Sequence, residues 1–491
     1  MAKPALDKDL KKLTRLEGGI EALSQQLVPF GLGFLFLVAA GLFAAGIVGI
    51  DGRWAIVVAA TVIGGYTALN IGANDVANNM SPAVGSRVFT IASAVAIAAF
   101  FEAAGAILAG GDVVTTVSSR IIAPEVTASA ATIVTLMVAA LFAGALWINL
   151  ATWIGAPVST THSVVGGVLG GGLAVGGLAA VNWNMVLQIV ASWVISPALG
   201  GLVAAALLYY IKRTILNAPD KLAAARQRVP LLLALMGGAF TTYLLMKALR
   251  HVYPVPFWLA LLVGIVAGIL VHVTSRPYVA RRLHRLPDRK ASVGELFTLP
   301  VIFGAVLLSF AHGANDVANA IGPLAAIHAA VAGAAVGPAV GVPIWVLVVG
   351  ALGISAGLAL YGPRLIRTVG HKITKLNRVR AYCVTLSAAV TVIVASALGL
   401  PVSSTHIALG SLFGVGFLRE ILANNGRPDR STAGPEAGGK KALRKRQKRR
   451  LVRRSHLMTI VAAWVVTVPA SAALAALITL GIANSGIIVL D

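Results

Sequence analysis

The sequence predicts an all-α polytopic membrane protein built around an inverted repeat, with about 12 core spans plus one extra N-terminal helix. Three observations predict it. Of 491 residues, 58% are hydrophobic and 12% charged. Apolar runs of about 20 residues recur between short polar or basic joints, which is the length a helix needs to cross a bilayer. Two polar motifs embedded in those runs each occur twice, in the same order. The composition excludes a water-soluble domain, and the long unbroken runs exclude the alternating pattern of a membrane barrel.

Hydropathy and turn signals place spans near residues 29–50, 54–79, 90–110, 127–151, 157–180, 184–211 and 229–246. Six more fall near 257–274, 296–321, 341–361, 381–399, 402–418 and 456–482. The first 28 residues are polar and the first apolar run is long enough to span, so it reads as a retained helix and not a cleaved leader. Ahead of it, Leu6, Leu10, Leu13, Leu16, Ile20 and Leu23 recur at helical spacing with Lys and Arg between them. The expectation for residues 1–28 is a cytoplasmic amphipathic tail on the membrane surface.

The net charge of +23 is resolved by position. Alternating sides along the spans puts the tail and the joints at 80–89, 212–228, 275–295, 362–380 and 419–455 on one face, with 36 of the 40 Lys and Arg. Only Arg53, Arg120, Lys247 and Arg250 fall on the other. The positive-inside rule makes the first face cytoplasmic, with the N-terminus inside and the C-terminus outside. The run KKALRKRQKRRLVRR from Lys440 to Arg454 is then a topology signal and a contact for anionic lipids. No aromatic platform accompanies it, so no nucleic-acid partner is expected. The single cysteine, Cys383, can form no internal disulfide and reads as a packed residue.

GANDVAN occurs at Gly72–Asn78 and again at Gly313–Asn319; PVSTTH at Pro157–His162 is echoed by PVSSTH at Pro401–His406. WVISP from Trp193 and WVVTVP from Trp464 form a third echo. The second unit begins seven spans after the first, and an odd offset inverts it. The expected organisation is an extra span at 29–50, repeat 1 at 54–211, connecting spans and basic loops at 212–295, and inverted repeat 2 at 296–482 with its basic loop at 419–455. Secondary transporters with this plan bind ligand near the bilayer midplane, where the repeats meet.

Among 17 Asp and Glu, only Asp75, Glu102 and Asp316 fall well inside spans. A carboxylate in hydrocarbon costs several kcal/mol unless a cation or a wet cavity compensates it, so a duplicated one points to cation binding. Gly72, Asn74 and Asn78 around Asp75 suggest an unwound turn whose carbonyls and side-chain oxygens ligate a hard cation such as Na⁺, with Asn315 and Asp316 as the symmetry-related site. Pro157 followed by Ser159, Thr160 and Thr161 is a helix-start signature that gathers N–H groups and hydroxyls at a positive dipole end, which suits an anion. Ser403, Ser404 and Thr405 repeat it. Two ionised aspartates and a divalent oxyanion total about four negative charges without Lys or Arg, so co-bound cations are required and symport follows. Glu102 or an aspartate is a candidate proton carrier. His162 and His406 sense pH, touch ligand, or hydrogen-bond across the broken helices. Trp193 and Trp464 read as packing or interface residues, and GGVLGGGLAVGG from Gly166 to Gly177 as a close-packing surface without a P-loop Lys.

With those motifs in view, the chain resembles the PiT-type inorganic phosphate transporters, which couple phosphate uptake to Na⁺ or H⁺. The resemblance covers about residues 54–482 and rests on GANDVANNMSPAVGS from Gly72, FEAAGAILAG from Phe101, GANDVANAIGP from Gly313 and both Pro-Val-Ser motifs. It implies a cation site at Asn74, Asp75, Asn315 and Asp316, and a phosphate site at Ser159, Thr160, Thr161, Ser403, Ser404 and Thr405. It implies inorganic phosphate and a monovalent cation as partners, with Na⁺ or H⁺ co-transported and no resident cofactor or other metal. Many relatives carry an intramembrane Glu upstream of the second Pro-Val-Ser motif, where this chain has Thr385, so Glu102 has no acidic twin. Sulfate or a metal-phosphate complex is the alternative cargo. A membrane-embedded hydrolase using Asp75, His162 and Ser159 is a remote alternative, since catalytic sets seldom occur twice in inverted halves. No catalytic residue is therefore expected; a passive channel remains a further alternative, and a homo-oligomer is compatible with the sequence.

Overall fold

The computed structural model describes residues 27–485 apart from residues 51, 124–128, 155–157, 249–254, 284–285, 334–340, 373–375 and 426–453. The expected amphipathic tail ahead of Leu27 and the basic stretch 426–453 lie outside the described residues. Among the described residues, thirteen helices are long and apolar enough to cross a membrane, in the order the hydropathy runs predict. The protein is an integral, multi-pass, all-α membrane protein.

An outlying helix, α1 (Leu27–Val48), precedes the first repeat. That repeat comprises α2 (Trp54–Gly85), α3 (Ile91–Ala109), the short α4 (Gly111–Ser119), α5 (Ala130–Ile154), α6 (Thr160–Gly176) and α7 (Trp183–Ile211). The connecting stretch holds α8 (Lys221–Ala248), α9 (Phe257–Leu283) and α10 (Lys290–Leu296). The second repeat follows as α11 (Thr298–Val331), α12 (Ile344–Lys372), α13 (Arg378–Ala397), α14 (Ser404–Asn425) and α15 (Arg454–Ser485).

Local sequence sets the helix ends. Thr90, Ser159, Asn182 and Asn377 cap α3, α6, α7 and α13 by accepting a backbone N–H three residues on, as short polar side chains do. Gly399, at φ +69°, ends α13 in the left-handed region that favours glycine.

Burial ranks the helices. The most apolar window of α11 is 83% buried and that of α2 61%, against 17% for α9 and 22% for α1. The helices carrying GANDVAN therefore lie in the buried interior, together with α13 at 72% and α5 at 67%, and α1 and α9 lie at the periphery.

The halves grip each other reciprocally. A Cβ on Gly72 of α2 would lie 1.9 Å from the Ile354 carbonyl oxygen of α12, and one on Gly313 of α11 would lie 1.9 Å from the Glu102 carbonyl oxygen of α3. The same exchange recurs outside this core. Gly170 of α6 closes on Ala472 of α15, and Gly414 of α14 closes on Gly201 of α7, each leaving 2.0 Å or less for a Cβ. The glycine run of α6 thus packs helices, as expected.

One expectation is overturned. GANDVAN is not unwound: α2 and α11 run unbroken through both copies. Gly72 and Gly313 are needed for close helix approach, not for a broken turn. The helical carbonyls stay in the backbone ladder, so side chains must supply the ligand atoms.

Candidate functional site

The two GANDVAN helices and the start of α6 and α14 converge on one buried cluster. Asp75 and Asp316 are each 0% exposed. Asp75 accepts hydrogen bonds from Thr160 at 3.0 Å and from Thr405 at 2.9 Å, so each Pro-Val-Ser motif donates one hydroxyl to it. Asp316 accepts from Ser404 at 2.6 Å and from the Asn315 amide at 2.7 Å. Asn78 donates to Thr405 at 2.8 Å, and its repeat partner Asn319 donates to Thr161 at 3.0 Å. Thr161 in turn donates to the Val402 carbonyl, so the two motifs touch.

Six predicted site residues therefore meet around the carboxylates: Asp75, Asp316, Thr160, Thr161, Ser404 and Thr405. Asn315 joins them and also holds the Val402 carbonyl at 2.6 Å. The others stand one step back. Asn74 donates to Thr152 at 2.9 Å. Ser159 and Ser403 cap their helices by accepting the backbone N–H of His162 and His406. Their hydroxyl oxygens hold the helix starts in place, and the following residues face the aspartates.

The sequence reading missed a central residue. His312, immediately before the second GANDVAN, is 0% exposed, with Nε2 2.7 Å from Asp316 Oδ2 and 3.8 Å from Asp75 Oδ2. Its Nδ1 lies 3.1 Å from Glu102 Oε2. Asn79 donates to the other Glu102 oxygen at 2.8 Å. Thus Asp75 and Asp316 form a compact pair of potential cation ligands beside the His312 imidazole, with Glu102 behind it. Comparing the flanks of the two motif copies would have exposed the histidine, because Ile71 stands at its place in the first copy.

This cluster breaks the two-fold pattern. The glycine contacts pair Glu102 with Ile354, and the motif register pairs His312 with Ile71 and Asn79 with Ala320. Glu102 and Asn79 of the first repeat and His312 of the second form a polar triad on one side of the pseudo-twofold arrangement, where the equivalent place on the other side carries Ile354, Ala320 and Ile71. Thr385 is elsewhere on α13 and donates to the Ala381 carbonyl of its own helix. Glu102 indeed has no acidic twin, and Ile354 is the residue in its place.

A second correction concerns His162 and His406. They do not hydrogen-bond across the helix starts; among the described residues their ring nitrogens have no hydrogen-bond partner. Instead His162 packs on Trp193 with ring centroids 3.8 Å apart, His406 packs on Trp464 at 3.9 Å, and the two imidazoles meet at 4.7 Å. Trp193 also donates its indole N–H to the Pro401 carbonyl at 2.9 Å, which ties the first repeat to the second motif. Cys383 is buried and unbonded, as expected.

The chain and its fold have relatives among known proteins. The model of the phosphate transporter family matches residues 71–475. A protein of Helicobacter pylori strain J99, named "Putative phosphate permease", is 44% identical, with 96% of this chain and 98% of the relative covered. A protein of the same name from Pyrococcus horikoshii is 36% identical over 74% of this chain and 89% of its own length. Among solved structures, one titled "The sodium-dependent phosphate transporter" aligns with a TM-score of 0.77 at 34% identity, covering 88% of this chain and all of that one. With the family model spanning both motif pairs, this chain belongs to the phosphate transporter family, and it is a permease and not an enzyme.

Proposed function

We propose that the chain is a cation-coupled phosphate symporter in which Asp75 and Asp316 bind the cation and the Pro-Val-Ser motifs bind phosphate. One observation carries the reading: Thr160, Thr405 and Ser404 donate to the two carboxylates. An oxyanion needs those same donors, so it competes with Asp75 and Asp316 for them and is repelled by their charge. A cation taken up by the carboxylates removes both obstacles. Cation and phosphate then bind cooperatively, and a coupling free energy of this kind is what ties their movement together.

Na⁺ is the favoured cation. Buried oxygen atoms suit a hard ion, and the solved neighbour's title names sodium. His312 supplies a fixed basic group among Asp75, Glu102 and Asp316, which reduces the number of cations needed to balance the cargo. Glu102, hydrogen-bonded to Asn79 and beside His312, is the residue through which a proton would enter the coupling. The distribution of basic joints supports an orientation with the N-terminus in the cytoplasm and the C-terminus outside.

The test is uptake of ³²P-phosphate into proteoliposomes at fixed pH, with Na⁺ replaced by choline. Uptake should need Na⁺ and should fall about 100-fold or more in Asp75→Asn and Asp316→Asn, as expected when one member of a buried charged set is removed. Equal uptake in choline, or normal uptake in both variants, overturns the reading. Excess sulfate in the same assay separates the two oxyanions.

A further inference from the structure

The second oxyanion motif is preceded by a stretch without regular structure, Leu398–Ser403, which follows the end of α13. Its main chain is suspended by side chains from other helices. Asn315 of α11 and Thr161 of α6 hold the Val402 carbonyl, and Trp193 of α7 holds that of Pro401. Thr116 of α4 donates to the Gly399 carbonyl at 2.6 Å. Lys247, in the last turn of α8, donates to the Ala397 carbonyl at 3.4 Å and is ion-paired with Asp112 in the first turn of α4.

The Lys247 contact differs in kind from the others. Its donor is charged, and it comes from the connecting stretch outside both repeats. Both electrostatic ends are favourable: Asp112 sits at the positive start of α4, and Lys247 meets a carbonyl at the negative end of α13. The pair is also shielded, with side chains 16% and 24% exposed, so it is screened less than a surface ion pair. Along the chain, Ala397 is five residues before Val402, whose N–H and carbonyl both face Asn315 of the candidate cation site.

We propose that Lys247, held on Asp112, is a positioning residue for phosphate binding: it anchors the 397–402 stretch so that Ser404 and Thr405 face the aspartates. The anchor joins the connecting helix α8, the short α4 and the second oxyanion motif, so movement of that motif during transport requires the Lys247 contact to break. This rests on phosphate being the cargo.

The test compares Lys247→Met, Asp112→Asn and the conservative Lys247→Arg in the full chain. Hydrogen–deuterium exchange read by mass spectrometry reports residues 396–403 directly and needs no transport. Lys247→Met and Asp112→Asn should speed exchange there about tenfold, with other helices unchanged and Lys247→Arg close to wild type. In proteoliposomes the first two variants should raise the phosphate KM about fivefold with the maximal rate kept, and Lys247→Arg should restore it. Wild-type exchange in Lys247→Met, faster exchange spread over all helices, or a local change with KM unaltered each overturns the proposal. If the wild-type protein takes up no phosphate, the transport reading fails while the exchange measurement still tests the anchor.

Discussion

Glu102 and Ile354 occupy equivalent positions in the two halves: each offers its main-chain carbonyl to the glycine of the other half's GANDVAN motif, with 1.9 Å left for a Cβ. Their side chains differ completely. Glu102 meets His312 and Asn79, whereas Ile354 lies where the register pairs it with Ile71 and Ala320. A protein with twofold motifs thus has a one-sided charge arrangement at its centre, and the first two predictions follow from it.

His312 is a basic group within 3.8 Å of three carboxylates. His312→Gln should tighten the apparent Na⁺ affinity for uptake by about tenfold, because a carboxylate left without its basic neighbour in a low-dielectric site demands another cation. Glu102→Gln in the same chain should cost less than in the wild type, since the two residues face each other. Na⁺ titrations of phosphate uptake for the two single variants and the double variant measure the coupling. Strict additivity would place the pair outside the coupling machinery.

Ile354→Glu puts a carboxylate at the mirrored place without a basic partner. A loss of about 3–5 kcal/mol in stability is expected, or no folded protein at all. Adding Ile71→His should recover part of that loss. Thermal melting in detergent reads both, and an Ile354→Glu protein as stable as wild type would contradict the pairing.

Gly72→Ala and Gly313→Ala should each destabilise by about 1–3 kcal/mol or more, since the added methyl meets a main-chain carbonyl that cannot swing away. Gly46→Ala on α1, with nothing within 4 Å of the new methyl, should be neutral or slightly stabilising. Melting temperatures of the three variants decide whether these glycines serve packing.

Thr405→Val and Ser404→Ala each remove a hydroxyl that donates to an aspartate. Hydrogen bonds to charged groups are worth about 1.5–3 kcal/mol, so the phosphate KM should rise about tenfold or more. Cation affinity should weaken too, because the carboxylates lose their orientation. Phosphate and Na⁺ titrations of uptake separate the effects, and a change confined to folding yield would assign the hydroxyls a structural role.

The sequence by itself determined the membrane class, the thirteen spans and the duplicated motifs, because hydrophobic length and repetition are one-dimensional properties. It also named both aspartates, since an acid in a hydrocarbon-length run stands out whatever surrounds it. Three things needed the tertiary structure. The helices stay wound at GANDVAN, because Gly72 and Gly313 answer to a neighbouring helix's carbonyl and not to local backbone strain. Ser159 and Ser403 cap their helices while Thr160, Ser404 and Thr405 reach the carboxylates, a division set by where the two helix starts meet. His312 acquires its role only because α11 brings it against α3, about 210 residues away in sequence, where Glu102 waits. Contacts between distant segments have no signature along the chain, and here they bring Glu102 of the first repeat against His312 of the second.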